Sequence, residues 1–189
     1  MSELCALSDV QTYLGLQDAN TAAVLTALIP NISAAVEAYC NRTFASQSYT
    51  ETRNGGCGNK MFLSQGPVTA VASLTVNGQT VNPAPNAVSG GFVFDSTTVY
   101  IRPGGAGPQA FYKGIQNVTI TYTAGFDTIP PDVNMATVLW IASVFAKRSR
   151  IDKKNETLGT AQTQGYDLSD MPTTTKQLLS SYIRWSPLA

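Results

Sequence analysis

The sequence predicts an α+β fold: a helical body with a small antiparallel β sheet or barrel inserted, and a C-terminal arm that ends in a short helix. Three observations carry this expectation. Apolar residues recur at helical spacing between Leu25 and Cys40, and again between Val133 and Phe145. Between those stretches, from Ser48 to Thr123, the pattern changes to alternation punctuated by turn residues. After a basic cluster, the stretch from Asn155 to Met171 is rich in Gly, Thr and Gln and lacks apolar periodicity.

The elements follow in chain order. Ser8 is placed to cap a short helix over Asp9–Leu14, and Gly15 to stop it. Asp18 or Asn20 opens a longer helix whose apolar face holds Leu25, Leu28, Ile29, Ile32, Val36, Tyr39 and Cys40. Pro30 lies inside it and cannot donate a backbone hydrogen bond, which predicts a kink or break near Ala27. Asn41-Arg42-Thr43-Phe44 ends the helix. Tyr49–Arg53, Lys60–Leu63, Ala70–Val76 and Gln79–Val81 read as strands, with Asn54–Asn59 a turn. Asn77-Gly78 between two of them is a hairpin signal, because both central residues of a type I′ turn need positive φ. Phe92–Phe94 and Val99–Ile101 form a second hairpin, and Pro103–Pro108 is loop. Val118–Tyr122 alternates cleanly, as a half-buried strand does. Pro130-Pro131-Asp132 starts a helix with Val133, Ala136, Trp140, Val144 and Arg148 on one stripe and Thr137, Ile141 and Phe145 beside it. A last short helix runs through Leu178, Leu179, Tyr182 and Ile183. The expected division is a body over 1–151 (helices 8–44 and 131–151, β insertion 48–123) and an arm with its helix over 152–189.

Composition narrows the function. The 189 residues are enough to bury a core. Charged residues make up only 13%, about half the usual ~25%. A surface this poor in charge suits a protein packed against neighbours. Net charge is zero, which disfavours a general nucleic-acid coat. Histidine is absent, which removes Ser-His-Asp and Cys-His catalysis and histidine zinc sites. Cys5, Cys40 and Cys57 are widely spaced and odd in number, so they read as reduced thiols, with Cys40 a core residue. The first residues lack a basic n-region and a long apolar run, so no signal peptide is expected, and no membrane partner.

Charge is concentrated in one place. Lys147, Arg148, Arg150, Lys153 and Lys154 lie within eight residues against a single acid, Asp152. This cluster reads as a solvated helix end, a phosphate-facing patch or a patch for an acidic protein. Gly104-Gly105-Ala106-Gly107 lacks the Lys-Ser/Thr of a P-loop, and Asp167 with Asp170 reads as capping before Pro172. The residues thus predict no enzyme, no cofactor and no metal.

The motif order resembles the head-tail connector (adaptor) proteins of long-tailed bacteriophages. The resemblance is carried by Leu7–Leu16; by Leu28-Ile29 and Ala34–Phe44 followed by Tyr49-Thr50-Glu51; by Gly66-Pro67-Val68 with Val71–Gly78; by Thr121–Phe126 leading into Ile129–Val133; and by Lys154–Gly159 and Met171-Pro172 before Lys176–Leu179. It implies a structural virion protein, assembled in the host cytoplasm, that forms a ring, usually of twelve copies, under the portal. The ring extends the DNA channel, contacts DNA without sequence specificity and offers the attachment surface for a neck or tail-completion protein. It further implies that the arm and last helix reach the portal. Leu178, Leu179, Tyr182, Ile183 and Trp185 are then the portal-binding set, and the basic cluster faces the portal or the DNA. An arm of this composition is suited to ordering on assembly. The rival reading is a carbohydrate-binding β module on a virion or cell surface, with Tyr49, Phe92, Tyr100, Phe111 and Tyr112 stacking on sugars.

Overall fold

The computed structural model describes residues 3–104, 107–148, 155–158, 162–165 and 171–184. The chain divides into two compact units, a helical one from residues 3–41 and 129–184 and a β one from residues 42–128.

The helical unit begins with α1, Leu7–Leu14. Its N-cap is Ala6 rather than Ser8, which lies within the first turn. The Asp9 carboxylate does the capping instead, accepting the Ala6 N–H at 3.3 Å. Gly15 closes the helix in the left-handed region, φ 66°. Helix α2 runs over Ala19–Cys40, and Asp18 caps it by accepting the Thr21 N–H at 2.8 Å. The break expected at Pro30 does not occur: the helix is continuous. The carbonyl that Pro30 leaves without its N–H belongs to Thr26, an exposed residue that solvent reaches, and the Asn31 amide donates to the neighbouring Ala27 carbonyl at 2.9 Å. Asn41 ends α2 at φ 50°.

Helix α3, Pro131–Lys147, is the hub of this unit. Its Val138, Ile141 and Phe145 pack with Cys5, Val10, Leu25 and Ile29 into one buried cluster. The expected stripe is buried in its first half, at Val133 and Ala136, and not in its second. Trp140 and Val144 are half-buried, while Val133, Ala136, Thr137 and Ile141 are buried completely. The reason is a second neighbour. Helix α4, Thr173–Leu179, continues into a single 3₁₀ turn, Ser180–Tyr182, and packs on α3 as well. There Thr175 Oγ1 donates to the Ala136 carbonyl at 3.4 Å, and Leu179 is fully buried. Arg184 N–H donates to the Cys40 carbonyl at 2.9 Å, tying the chain after α4 to the end of α2. Within the arm two strands pair, β8 (Asn155–Leu158) and β9 (Gln162–Gly165), antiparallel with Asn155 opposite Gly165.

The β unit holds two antiparallel sheets. The first has the order β1 (Gln47–Gly55), β7 (Gly114–Ala124), β3 (Val68–Val76), β4 (Gln79–Val81). The second has the order β2 (Lys60–Phe62), β6 (Thr98–Arg102), β5 (Gly91–Phe94). Asn77 and Gly78 join β3 to β4 with φ of 52° and 75°, the turn their sequence specifies. On β7 the even positions Val118, Ile120, Tyr122 and Ala124 are buried, so the alternation read from the sequence is the core face of the sheet. Leu63, Leu74, Val99, Ile101 and Phe111 complete that core.

Candidate assembly surface

A partly buried polar hub lies on the first sheet. Tyr49 and Tyr122 are opposite each other on β1 and β7 and stack with ring centroids 5.7 Å apart. Beside them Glu51 accepts from the Tyr122 hydroxyl, from Arg53 Nε at 2.9 Å and from Ser64 N–H at 3.2 Å. The Gln65 N–H donates to the Tyr122 oxygen at 3.0 Å. Burial alone would push the Glu51 carboxyl up, but the Tyr122, Arg53 and Ser64 donors outweigh it and hold the carboxyl below its ordinary value. A lowered native pKa stabilises the fold above the unfolded carboxylate range, and that stability is lost as pH falls through the native value. Glu51→Gln is therefore expected to cost about 1–3 kcal/mol at neutral pH. The variant should also show a flatter loss of stability than the parent on acidification below pH ~4 in urea melts.

A second clamp was missed by sequence reasoning. The Arg42 guanidinium lies 5.3 Å from the Phe44 ring centroid and 5.2 Å from that of Phe126, and donates to the Gly66 carbonyl. Phe126 N–H donates to the Phe44 carbonyl at 2.7 Å. Arg42 thus pins the entry of the β unit to its exit. The signal was present in the motif blocks ending at Phe44 and Phe126, although neither block states that its residues meet.

No catalytic geometry is assembled from these groups. Among the described residues no three of the Cys, Asp and Glu side chains converge as a metal site. Burial, with Asp9 and Glu3 adding to it, pushes the Cys5 thiol up to about 12, which keeps it protonated near neutrality. Cys40 is buried, as its helical position implied, and Cys57 is exposed. The aromatic platform of the carbohydrate reading is not formed: Phe92 and Phe111 are core residues at 5% and 1% exposure, and the Tyr100 hydroxyl donates to Asp95 at 2.9 Å.

The residues singled out for assembly are distributed as follows. Leu179, the last residue of α4, is fully buried, while Leu178, Tyr182 and Ile183 are half-buried and keep accessible surface; Trp185 lies outside the described residues. Lys147 is half-buried and Arg148 exposed at the end of α3; Arg150, Lys153 and Lys154 lie outside the described residues, as do Asp167 and Asp170. The Arg148 guanidinium sits 3.8 Å from the Phe145 ring centroid. The Thr21 N–H, with Arg148 as a lesser contribution, holds the Asp18 carboxyl below its ordinary range. Two broad surfaces carry almost no charge. The outward face of the first sheet is Ser48, Thr50 and Thr52 on β1, Thr119, Thr121 and Thr123 on β7, and Ser73 and Thr75 on β3. The other is the outward side of α2, a helix whose sole charged residue is Glu37.

Among the described residues no metal-binding cluster is assembled, two broad faces are nearly free of charge, and α3 ends in Lys147 and Arg148. The family model of head completion proteins matches residues 3–185, and the chain belongs to that family. A comparison with curated proteins gives no match. Solved structures with the same fold come from gene transfer agent (GTA) particles. A chain from the neck of the empty GTA particle, computed with C6 symmetry, is 19% identical at a TM-score of 0.59, over 98% of this chain and 92% of that one. A chain from the neck of the native particle, computed with C12 symmetry, is 20% identical at a TM-score of 0.54, over 96% and 90%. A chain from the native GTA virion is 19% identical at a TM-score of 0.58, over 98% and 92%.

Proposed function

We infer that this protein is a head-tail connector, a non-enzymatic ring component that sits at the neck of a tailed particle and completes the head where the tail joins. Membership in the head completion protein family over nearly the whole chain carries the reading. The fold supports it, since chains of the same fold occur in particle necks with six- and twelvefold symmetry. The proposed ring has twelve copies, lies under the portal and continues the DNA channel, and its far surface receives a neck or tail-completion protein. In this reading the body is residues 1–151 and the arm 152–189. The surface of α4 left open by Leu178, Tyr182 and Ile183, with Trp185 following, meets the portal, while Leu179 serves the subunit's own packing. The basic cluster from Lys147 to Lys154 faces portal carboxylates or the phosphates of passing DNA.

The reading is tested on portal-containing heads. Leu178→Arg places a charge on a half-buried surface position, and attachment of the variant to heads should fall at least tenfold while the melting temperature shifts by only a few degrees. Co-sedimentation with purified heads measures the first and calorimetry the second. Attachment at parental affinity would remove the anchor from α4.

A further inference from the structure

We propose that the outward side of α2 is a copy-to-copy contact, covered in the assembled ring by a different surface of the adjacent identical subunit. Thr21, Leu25, Ile29, Ser33, Val36 and Cys40 form the side of α2 that is buried within the subunit. The opposite side is exposed at Ala23, Ala27, Asn31 and Ala38 and half-buried at Pro30, Ala34 and Ala35, yet it does not carry the charged residues with which a solvent-facing helix normally offsets its buried stripe. Val24 and Tyr39 flank it at 40% and 38% exposure. Over 22 residues α2 has no Lys or Arg. A helix of that length extends ~33 Å, so this side presents on the order of 300 Å² of weakly polar surface. That is a substantial part of the ~800 Å² each partner contributes to a standard interface.

The chemistry of the face selects its occupant. Without a cation it has nothing to place against phosphate, so DNA is not the partner. α2 is long and apolar enough to cross a bilayer by length and composition, but its buried positions recur from Thr21 to Cys40, so one side of it is committed to the subunit core along its full length. Nor does it carry the Lys, Arg or Trp rim of a helix lying on a membrane. An uncharged protein surface remains. A second copy supplies one, because the chain as a whole is only 13% charged. A closed ring also holds copies side by side through unlike patches, so α2 meets another part of the next subunit and not its own equivalent. Small side chains on the open side let that neighbour approach closely with little rotamer entropy to lose. The inference rests on the ring reading above.

The test uses the full chain bound to portal-containing heads. Parent protein is first imaged on heads; if it does not join them, the functional reading fails and not this inference alone. Given a parental ring, Ala27→Glu should leave the helical circular dichroism and melting temperature of the free subunit near the parent's and abolish the ring on heads. Val24→Cys provides a second readout that does not depend on disrupting the assembly. Alkylation at residue 24, read by peptide mass spectrometry, should be at least tenfold slower in the ring than in the free subunit. Normal rings from Ala27→Glu, or equal alkylation of Val24→Cys in both states, would overturn the proposal. So would flotation of the parent subunit with neutral phosphatidylcholine vesicles that Ala27→Glu abolishes, which would assign the face to lipid.

Discussion

Gly125→Ala is expected to destabilise the β unit by about 3–5 kcal/mol, a sum of backbone strain and steric conflict. Gly125 has φ 122°, where an L side chain is strained wherever it points. A Cβ built there would lie 2.4 Å from the Ala45 carbonyl oxygen and 2.6 Å from its carbon. Those are backbone atoms, which no rotamer change moves away. The chain cannot readily retreat either: Gly125 N–H donates to the Pro67 carbonyl at 2.9 Å, and Phe126 N–H to that of Phe44 at 2.7 Å. The expected drop in melting temperature is ~6–20 °C for a chain of this size. A variant melting within two or three degrees of the parent would show that this turn is not held as described.

Ile141→Ala should be the costliest single truncation in the helical unit, at about 2–5 kcal/mol. Ile141 is fully buried and sits in the cluster that joins α3 to α1 and α2 through Val10, Leu25 and Ile29. Trp140→Ala, one residue away, should cost only roughly 1–2 kcal/mol because its side chain is half-buried and less area is at stake. The ordering is the informative part. From the helical stripe alone Trp140 is the central core residue, and its truncation would be the more damaging at ~3–5 kcal/mol. Denaturant titrations of both variants, on the full chain, distinguish the two pictures.

Trp140 shows where the sequence stops being informative. A 3.6-residue period says that a helix has an apolar side, but not which residues are innermost once the helix is flanked on two sides. Helix α3 has α1 and α2 on one flank and α4 on the other, and α4 is separated from it by more than twenty residues of intervening chain. The period therefore places the helix correctly and misplaces its centre. Pro30 fails for a different reason. The rule that proline breaks helices weighs one lost hydrogen bond, and here the orphaned carbonyl belongs to an exposed residue while the rest of a 22-residue helix is held by the core. By contrast, Asn77-Gly78 and the alternation of β7 were legible because turn chemistry and strand period are local.

The assembly residues were legible only in part. The basic run from Lys147 is visible in any charge count, and the apolar content of α4 in any helical projection. That Leu179 is consumed by the subunit's own packing depends on where α4 docks, which composition does not encode. The Arg42 clamp depends on Phe44 and Phe126 being neighbours across more than eighty residues of sequence. Each of its residues stood inside a motif block, but pairing between blocks is a property of the folded sheet.

Electron microscopy of particles produced without this protein tests the central claim most directly. The account predicts heads and tails that accumulate separately, with joining restored when the full chain is supplied. Heads and tails that join normally in its absence would contradict the assignment of this protein as the connector between them.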